Sequence, residues 1–289
     1  MISKSSRQHL RIPFSIFLLP VFVFALSQSS YADYLSVILM FIALHLFVYP
    51  ASNGFNSFYD KDEKSIGGLK YPPKVDKNLL HTSLIFDLIG LAISIYISIY
   101  FAIAILIYGL VSKAYSHPAI RLKKYPIAGL LTVGVFQGGF IYLACIQVFD
   151  NVHLSQLTEL KYLLPAFISS VLLIGSYPMT QIYQHDEDQK RGDVSISIKL
   201  GIRGTFLFTG IVFLMADLLF GLYFKMMGKI NHFFILQAFL LPVLLYFQWW
   251  MLKVWKNPEE ANFDRTMRLN MISSVCMIVF FLTIYFLNN

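Results

Sequence analysis

The chain has 289 residues, 57% of them hydrophobic and 13% charged, with a net charge of +7 and a mean hydropathy of +0.63. A soluble domain carries about 25% charged residues, so this chain has more apolar surface than one soluble core can bury, and its natural solvent is lipid. The basic excess reads as membrane topology and attraction to anionic lipid; nucleic-acid binding is excluded as a reading, because no soluble basic module exists to perform it.

The first segment, MISKSSRQHLRIPFSIFLLPVFVFA, sets basic residues before an apolar run. It has no small-residue cleavage site of the kind a signal peptide needs, and reads as a first anchor that stays in place. A bilayer-spanning helix requires about 20 apolar residues. The apolar runs predict spans at 13–32, 34–55, 80–98, 100–115, 126–148, 162–183, 203–224, 232–252 and 268–287. The stretch from Leu79 to Tyr115 is too long for one crossing and is divided near Tyr100. Pro50 is expected to kink the second span. Cys145 and Cys276 fall inside apolar runs and read as buried thiols, with no disulfide framework or metal motif. No soluble insert interrupts the spans, so residues 1–289 form a single polytopic domain: an all-α integral membrane protein of about nine helices.

Charge tests that count independently. With nine spans and the N-terminus inside, only Lys161, Lys225 and Lys229 of the 23 Lys and Arg residues fall on the outer side. Such asymmetry is what the positive-inside rule predicts for a correct topology. It puts the N-terminus and the polar loops in the cytoplasm, and the expected location is the cell (inner) membrane.

Those loops hold the chemistry. Of the 16 acidic residues, Asp60, Asp62, Glu63 and Asp76 follow the second span, and Asp186, Glu187, Asp188 and Asp193 follow the sixth. Either cluster alone reads as solvated loop charge. Two clusters on one membrane face, each at a helix end and interleaved with Lys or Arg, suit another task. Magnesium is typically held by one or two carboxylates plus substrate phosphates, and nearby Lys and Arg neutralise the remaining phosphate charge. Asn56 and Asp60 are four apart, as are Gln184 and Asp188, so each pair shares a face if the helix persists. His45, Tyr49 and Asn53 would extend that face as a polar stripe. Asp87 and Asp217 lie within spans, where carboxylates usually face a bundle interior; each reads either as a functional group or as a residue bonded to a neighbouring helix. Gly67-Gly68 and Pro72-Pro73 read as a lid over bound diphosphate or as a plain turn.

The segment Asn56–Glu63, NSFYDKDE, resembles the first aspartate-rich motif, NxxxDxxxD, of the UbiA superfamily of membrane prenyltransferases. QHDEDQKRGDVSISIKLG, from Gln184 to Gly201, resembles the second motif, and YSHPAIRLK, from Tyr115 to Lys123, resembles the loop after the fourth span. The three occur in the family's order at the ends of spans 2, 4 and 6. The resemblance implies a ring of nine helices around a central cavity open laterally to lipid. It implies transfer of a prenyl group from an isoprenyl diphosphate to an acceptor, often aromatic, with Mg²⁺ assisting diphosphate departure. By position it implies Asn56, Asp60, Asp62 and Asp188 as Mg²⁺ ligands, with Asp60 and Asp188 central to catalysis. Lys70, Lys74, Arg121, Lys123, Lys190 and Arg191 are the implied diphosphate contacts. The chain departs from the motifs at Lys64 and Gln184, where the family pattern has aspartates; Asp62, and Asp186 or Asp193, are the implied substitutes. The expected partners are an isoprenyl diphosphate, a prenyl acceptor not identified by the sequence, and the bilayer. The competing readings are a multi-span transporter and a catalytically degenerate lipid-binding or scaffold relative.

Overall fold

The structure, a computed structural model, describes residues 2–288, which form helices and a single isolated β-bridge between Ile66 and Leu69. The first crossing is a bent pair. A short helix α1 (Lys4–Leu10) and a 3₁₀ turn (Ile12–Phe17) meet α2 (Leu19–Gln28), and the two halves are inclined by 41°. The crossing predicted at 13–32 is thus bent at Leu18, between the 3₁₀ turn and α2, and it ends at Gln28, where Ser29 caps α2 and donates to Asp150 at 2.6 Å.

Eight longer helices follow: α3 (Tyr34–Asp60), α4 (Leu79–Ile97), α5 (Ile99–Ser116), α6 (Pro126–Phe149), α7 (Leu160–Thr180), α9 (Ile196–Met226), α10 (Ile230–Lys256) and α11 (Phe263–Asn288). Between α7 and α9 lies the short α8 (His185–Arg191). All eight are long and apolar enough to cross a bilayer, and the bent pair brings the count among the described residues to nine. Ile85, Leu88, Ile211, Leu218 and Leu241 are exposed on the outer surface, as an integral membrane protein requires. The break between the third and fourth crossings falls at Ser98, whose extended backbone caps α5 and whose side chain accepts Tyr100 N–H at 3.2 Å. The sixth crossing ends at Thr180, three residues short of expectation, because Pro178 opens a closing 3₁₀ turn.

Two crossings contain π-helical turns. In α3 the turn covers Ile42–Val48, directly before Pro50. Proline removes a backbone donor and crowds the preceding turn, and here the helix adapts by widening, with Tyr49 N–H reaching back to Leu44 O. The same widening changes the register. Tyr49, Asn53 and Asn56 line the central cavity, whereas His45 is buried against the Phe41, Phe22 and Tyr49 rings, outside the lining. In α6 the π turn covers Gly134–Phe140. A Cβ at Gly138 would stand 2.7 Å from Ser169 O, so α6 and α7 touch backbone to backbone, the small-residue contact by which membrane helices pack closely.

The ring closes where α2 packs on α11. Phe24 stacks on Phe281 at 4.4 Å between centroids, and both are almost fully buried in the main apolar cluster. The two intramembrane acids are paired with neighbouring helices: Asp87 with Lys113, and Asp217 with Gln237 Nε2 at 2.7 Å.

Candidate active site

Helix α3 stays helical through Asp60 and ends at Lys61, which adopts the left-handed conformation at φ 51°. Asn56 and Asp60 therefore sit one turn apart on one face, at the mouth of a cavity of about 340 Å³ that enters the bundle. Asp62, Lys123, Asp188, Arg191 and Asp193 line the same mouth. Residues from the ends of three crossings, far apart in the chain, thus converge.

Ion pairs organise the convergence. Asp60, only 4% exposed, accepts from Lys123 and from Arg121 Nη2, the latter at 3.2 Å. Arg121 also grips Asp193 with two parallel bonds of 2.8 and 2.7 Å, the fork geometry that suits a guanidinium to a carboxylate. Arg191 joins Asp62 to Asp188, the latter at 2.9 Å. Burial raises the Asp188 carboxyl to about 6, against the pull of Arg191. Burial, then the charge of Asp60, raises Asp62 as well. Burial works against the Arg191 charge, but Asp62 and Asp60 outweigh it and push its pKa up. Its bond with Asp193 does the same for Arg121.

The second acidic segment is fastened to the first. Lys64 Nζ pairs with Asp186 at 2.9 Å, and Gln184 Nε2 donates to Ser65 O at 3.2 Å. The two departures from the aspartate motifs, Lys64 and Gln184, therefore both serve to tie the loops together. The N-terminal segment holds the first loop from its other side. Ser5 Oγ donates to Lys74 O at 2.7 Å, His9 Nε2 bonds Pro73 O at 2.9 Å, and Arg11 Nη1 donates to Gly67 O at 2.9 Å.

The structure brings Asn56, Asp60, Asp62, Arg121, Lys123, Asp188 and Arg191 together. It does not bring Lys70, Lys74 or Lys190 to the cavity. Lys70 pairs with Asp264 at 2.5 Å on an exposed surface, Lys74 lines a separate groove outside, and Lys190 is exposed. The N-terminal contacts hold the loop bearing Lys70 and Lys74 to the outside of the mouth. Of the two implied substitutes for the second-motif aspartate, Asp193 lines the mouth and Asp186 does not; Arg11 and Tyr115 join the site beyond the expected set, with Tyr177 beside Tyr115. Arg11 is buried, lines the cavity and donates to Asn53 O at 3.2 Å. Tyr115 and Tyr177 line the wall below Asp60 with their hydroxyls 2.5 Å apart. The Tyr115-Ser116 dipeptide offered a signal for the first of these; a single arginine before an apolar run offered none for Arg11.

Among the described residues no three His, Cys, Asp or Glu side chains converge into a ready-made metal centre; each buried acid at the mouth is met by Arg or Lys. The donor set nevertheless fits a hard divalent cation, because Asp60, Asp62 and Asp188, three of the four carboxylates in the lining, accompany the Asn56 amide. Asn56 Nδ2 donates to Ser116 Oγ at 2.9 Å, leaving the amide oxygen as its acceptor atom. Oxygen-only donors suit Mg²⁺, which takes its remaining ligands from water and phosphate.

Solved structures with the same fold cover nearly the whole chain. A UbiA homologue from Archaeoglobus fulgidus bound to GPP and Mg²⁺ matches with a TM-score of 0.71 at 16% identity, covering 98% of this chain and 99% of that one. A structure from work on digeranylgeranylglyceryl phosphate synthase matches at 0.62 and 21% identity, covering 98% of each chain. A UbiA homologue from Aeropyrum pernix K1 in its apo state matches at 0.67 and 18% identity, covering 93% of this chain and 98% of that one. No curated protein sequence is close enough to count as a match. At these identities the likeness establishes the fold. A model of the UbiA prenyltransferase family matches residues 16–272, nearly the full length including all three motif segments, and the chain belongs to that family.

Proposed function

We propose that the protein transfers a polyprenyl group from an isoprenyl diphosphate to an acceptor, with Mg²⁺ assistance, and that its charged end faces the cytoplasm of the cell membrane. One observation carries the reading. Asp60, Asp62 and Asp188 meet Arg121, Lys123 and Arg191 at the mouth of a cavity whose deeper wall includes Phe24, Leu172, Met277 and Phe281. A diphosphate head fits the charged mouth and an isoprenoid tail fits the apolar interior. The transporter reading lacks this support, since every charged residue named in the lining lies at one end. The one-sided distribution of Lys and Arg supports the orientation.

In this reading Asn56, Asp60, Asp62 and Asp188 hold Mg²⁺. Bound Mg²⁺ would neutralise the diphosphate and stabilise it as a leaving group. Arg121, Lys123 and Arg191, now spent on carboxylates, turn to the phosphate oxygens when cation and diphosphate arrive together. Preorganised donors of this kind stabilise charge as it develops on the leaving oxygen. The apolar walls keep water from the allylic carbon, and the Phe136 and Tyr177 rings in the lining offer the electron-rich faces that attract a developing cation.

The test is binding of radiolabelled geranyl, farnesyl, geranylgeranyl and longer diphosphates to the full chain in nanodiscs, with Mg²⁺ or EDTA. Mg²⁺-dependent binding that disappears in both Asp60→Ala and Asp188→Ala upholds the reading. A folded wild type that binds none of these diphosphates overturns it.

A further inference from the structure

Below the charged mouth, α3 and α5 pack side by side along the cavity wall, joined by a descending set of polar rungs. The first rung is Asn56 with Ser116, at 2.9 Å. One turn deeper, Ser112 Oγ donates to Ser52 Oγ at 2.7 Å. A further turn down, Tyr108 packs its ring against Tyr49 at 5.8 Å and receives Gln137 Nε2 from α6 at 3.4 Å. Four residues of helix rise about 6 Å, so the Ser52 rung lies about that far below the rung next to the diphosphate site.

Ser52, Tyr49, Tyr108, Ser112 and Gln137 all line the cavity. The Tyr49 hydroxyl is fully buried and has no hydrogen-bond partner. A buried hydroxyl left unpaired costs free energy, and Tyr49 belongs to the cavity lining, so a ligand's polar atom bound there can complete the bond. The cluster is also uncharged. The ionised residues of the lining, Arg11, Lys123 and Arg191 with Asp60, Asp62, Asp188 and Asp193, stay at the mouth; Lys113, next to Ser112 on α5, is outside the lining and is paired with Asp87 of α4.

We propose that this cluster is the acceptor subsite and that the acceptor is an uncharged, hydroxyl-bearing molecule. The proposal rests on the prenyltransferase reading above. A phosphate or carboxylate placed here would be desolvated without a counter-charge in the lining. A neutral hydroxyl meets the Gln137 amide, which donates and accepts, and the vacant Tyr49 hydroxyl. The Tyr49, Tyr108 and Phe136 side chains enclose the rest of the molecule. In the reaction the allylic C1–O bond breaks with its electron pair leaving on the diphosphate. A bond forms between C1 and an acceptor atom, and the proton that atom loses passes to the diphosphate.

The experiment uses the full chain in nanodiscs and a matched set of probes, 2-naphthol, 2-naphthoate and 2-naphthyl phosphate, with geranylgeranyl diphosphate binding measured on the same samples. Saturable 2-naphthol binding is expected, at least tenfold tighter than either anion. It should weaken at least fivefold in Gln137→Leu and in the milder Ser52→Ala, with diphosphate binding retained. Absence of saturable 2-naphthol binding, anion binding as tight as 2-naphthol, or indifference to both substitutions in folded protein overturns the proposal. Failure of the wild type to bind the diphosphate overturns the prenyltransferase reading instead, whatever 2-naphthol does.

Discussion

Glu187 Oε1 accepts the backbone N–H of Lys64 at 2.8 Å. The same oxygen takes the Glu63 N–H at 3.1 Å, so one buried carboxylate from α8 fastens the main chain of the loop carrying Asp62. A hydrogen bond to a charged group contributes about 1.5–3 kcal/mol, and a buried donor left unpaired adds a cost of its own. Glu187→Ala is expected to raise amide exchange at residues 62–66 and to weaken Mg²⁺-dependent diphosphate binding by about tenfold, equivalent to ~1.4 kcal/mol. Glu187→Gln keeps an accepting oxygen and is expected to fall between the two. Exchange unchanged in the alanine variant would show that the loop is held by its other contacts.

Arg191 reaches two carboxylates at once, Asp62 through Nη1 and Asp188 through Nη2. A lysine carries the same charge but lacks the planar fork. Arg191→Lys is therefore expected to leave the protein folded while weakening diphosphate binding about tenfold or more, since one of the two acids loses its partner. Thermal unfolding in detergent together with diphosphate titration separates lost geometry from lost fold. Full binding in the lysine variant would mean that charge alone suffices at this position.

The apolar runs and the asymmetry of Lys and Arg made the crossings and their common charged end legible. Asn56 and Asp60 were legible as a pair because a four-residue spacing reports a shared face wherever the helix persists, and α3 persists to Asp60. The bend at the first crossing was hidden because hydropathy registers composition and not backbone direction. The displacement of His45 was hidden because a π turn changes register without changing the sequence pattern. Lys70 and Lys74 illustrate a further limit. Their spacing from Asp60 says nothing of which way the loop folds, and the loop's course is set by contacts with Ser5, His9 and Arg11 more than 50 residues upstream.

His185 anchors α8 to α9 through Ser197 Oγ at 2.8 Å, and Ser197 continues to Thr205 at 3.0 Å. Burial lowers the His185 pKa below the ordinary 6.5, and the nearby Asp186 opposes that shift only in part. A group whose folded pKa is depressed binds protons more readily when unfolded, so its stabilising share is present above 6.5 and is lost as pH falls below it. Proteolysis by trypsin after Lys190 and Arg191 is expected to accelerate between pH 7.5 and 5.5, after correction for the protease's own pH dependence. His185→Gln, which cannot charge, is expected to flatten that dependence. An identical pH response in the glutamine variant would assign the effect to other groups.

Gly67 and Gly68 both lie against the Phe14 ring, yet substitution should affect them differently. A Cβ at Gly67 would stand 2.5 Å from Phe14 Cζ, and one at Gly68 would stand 2.7 Å from Phe14 Cδ2. Of the two, only Gly68 has a positive φ, +79°, a conformation that side-chain-bearing residues rarely adopt. The Gly67→Ala clash is with a side chain, so Phe14→Ala in the same protein should relieve it and restore diphosphate binding toward the level of Phe14→Ala alone. Gly68→Ala retains its backbone strain after the ring is removed, so the same second substitution should recover little. Diphosphate titration of the four variants against Phe14→Ala checks the contrast. Equal rescue at both positions would show that the ring, and not the left-handed backbone, makes this glycine pair necessary.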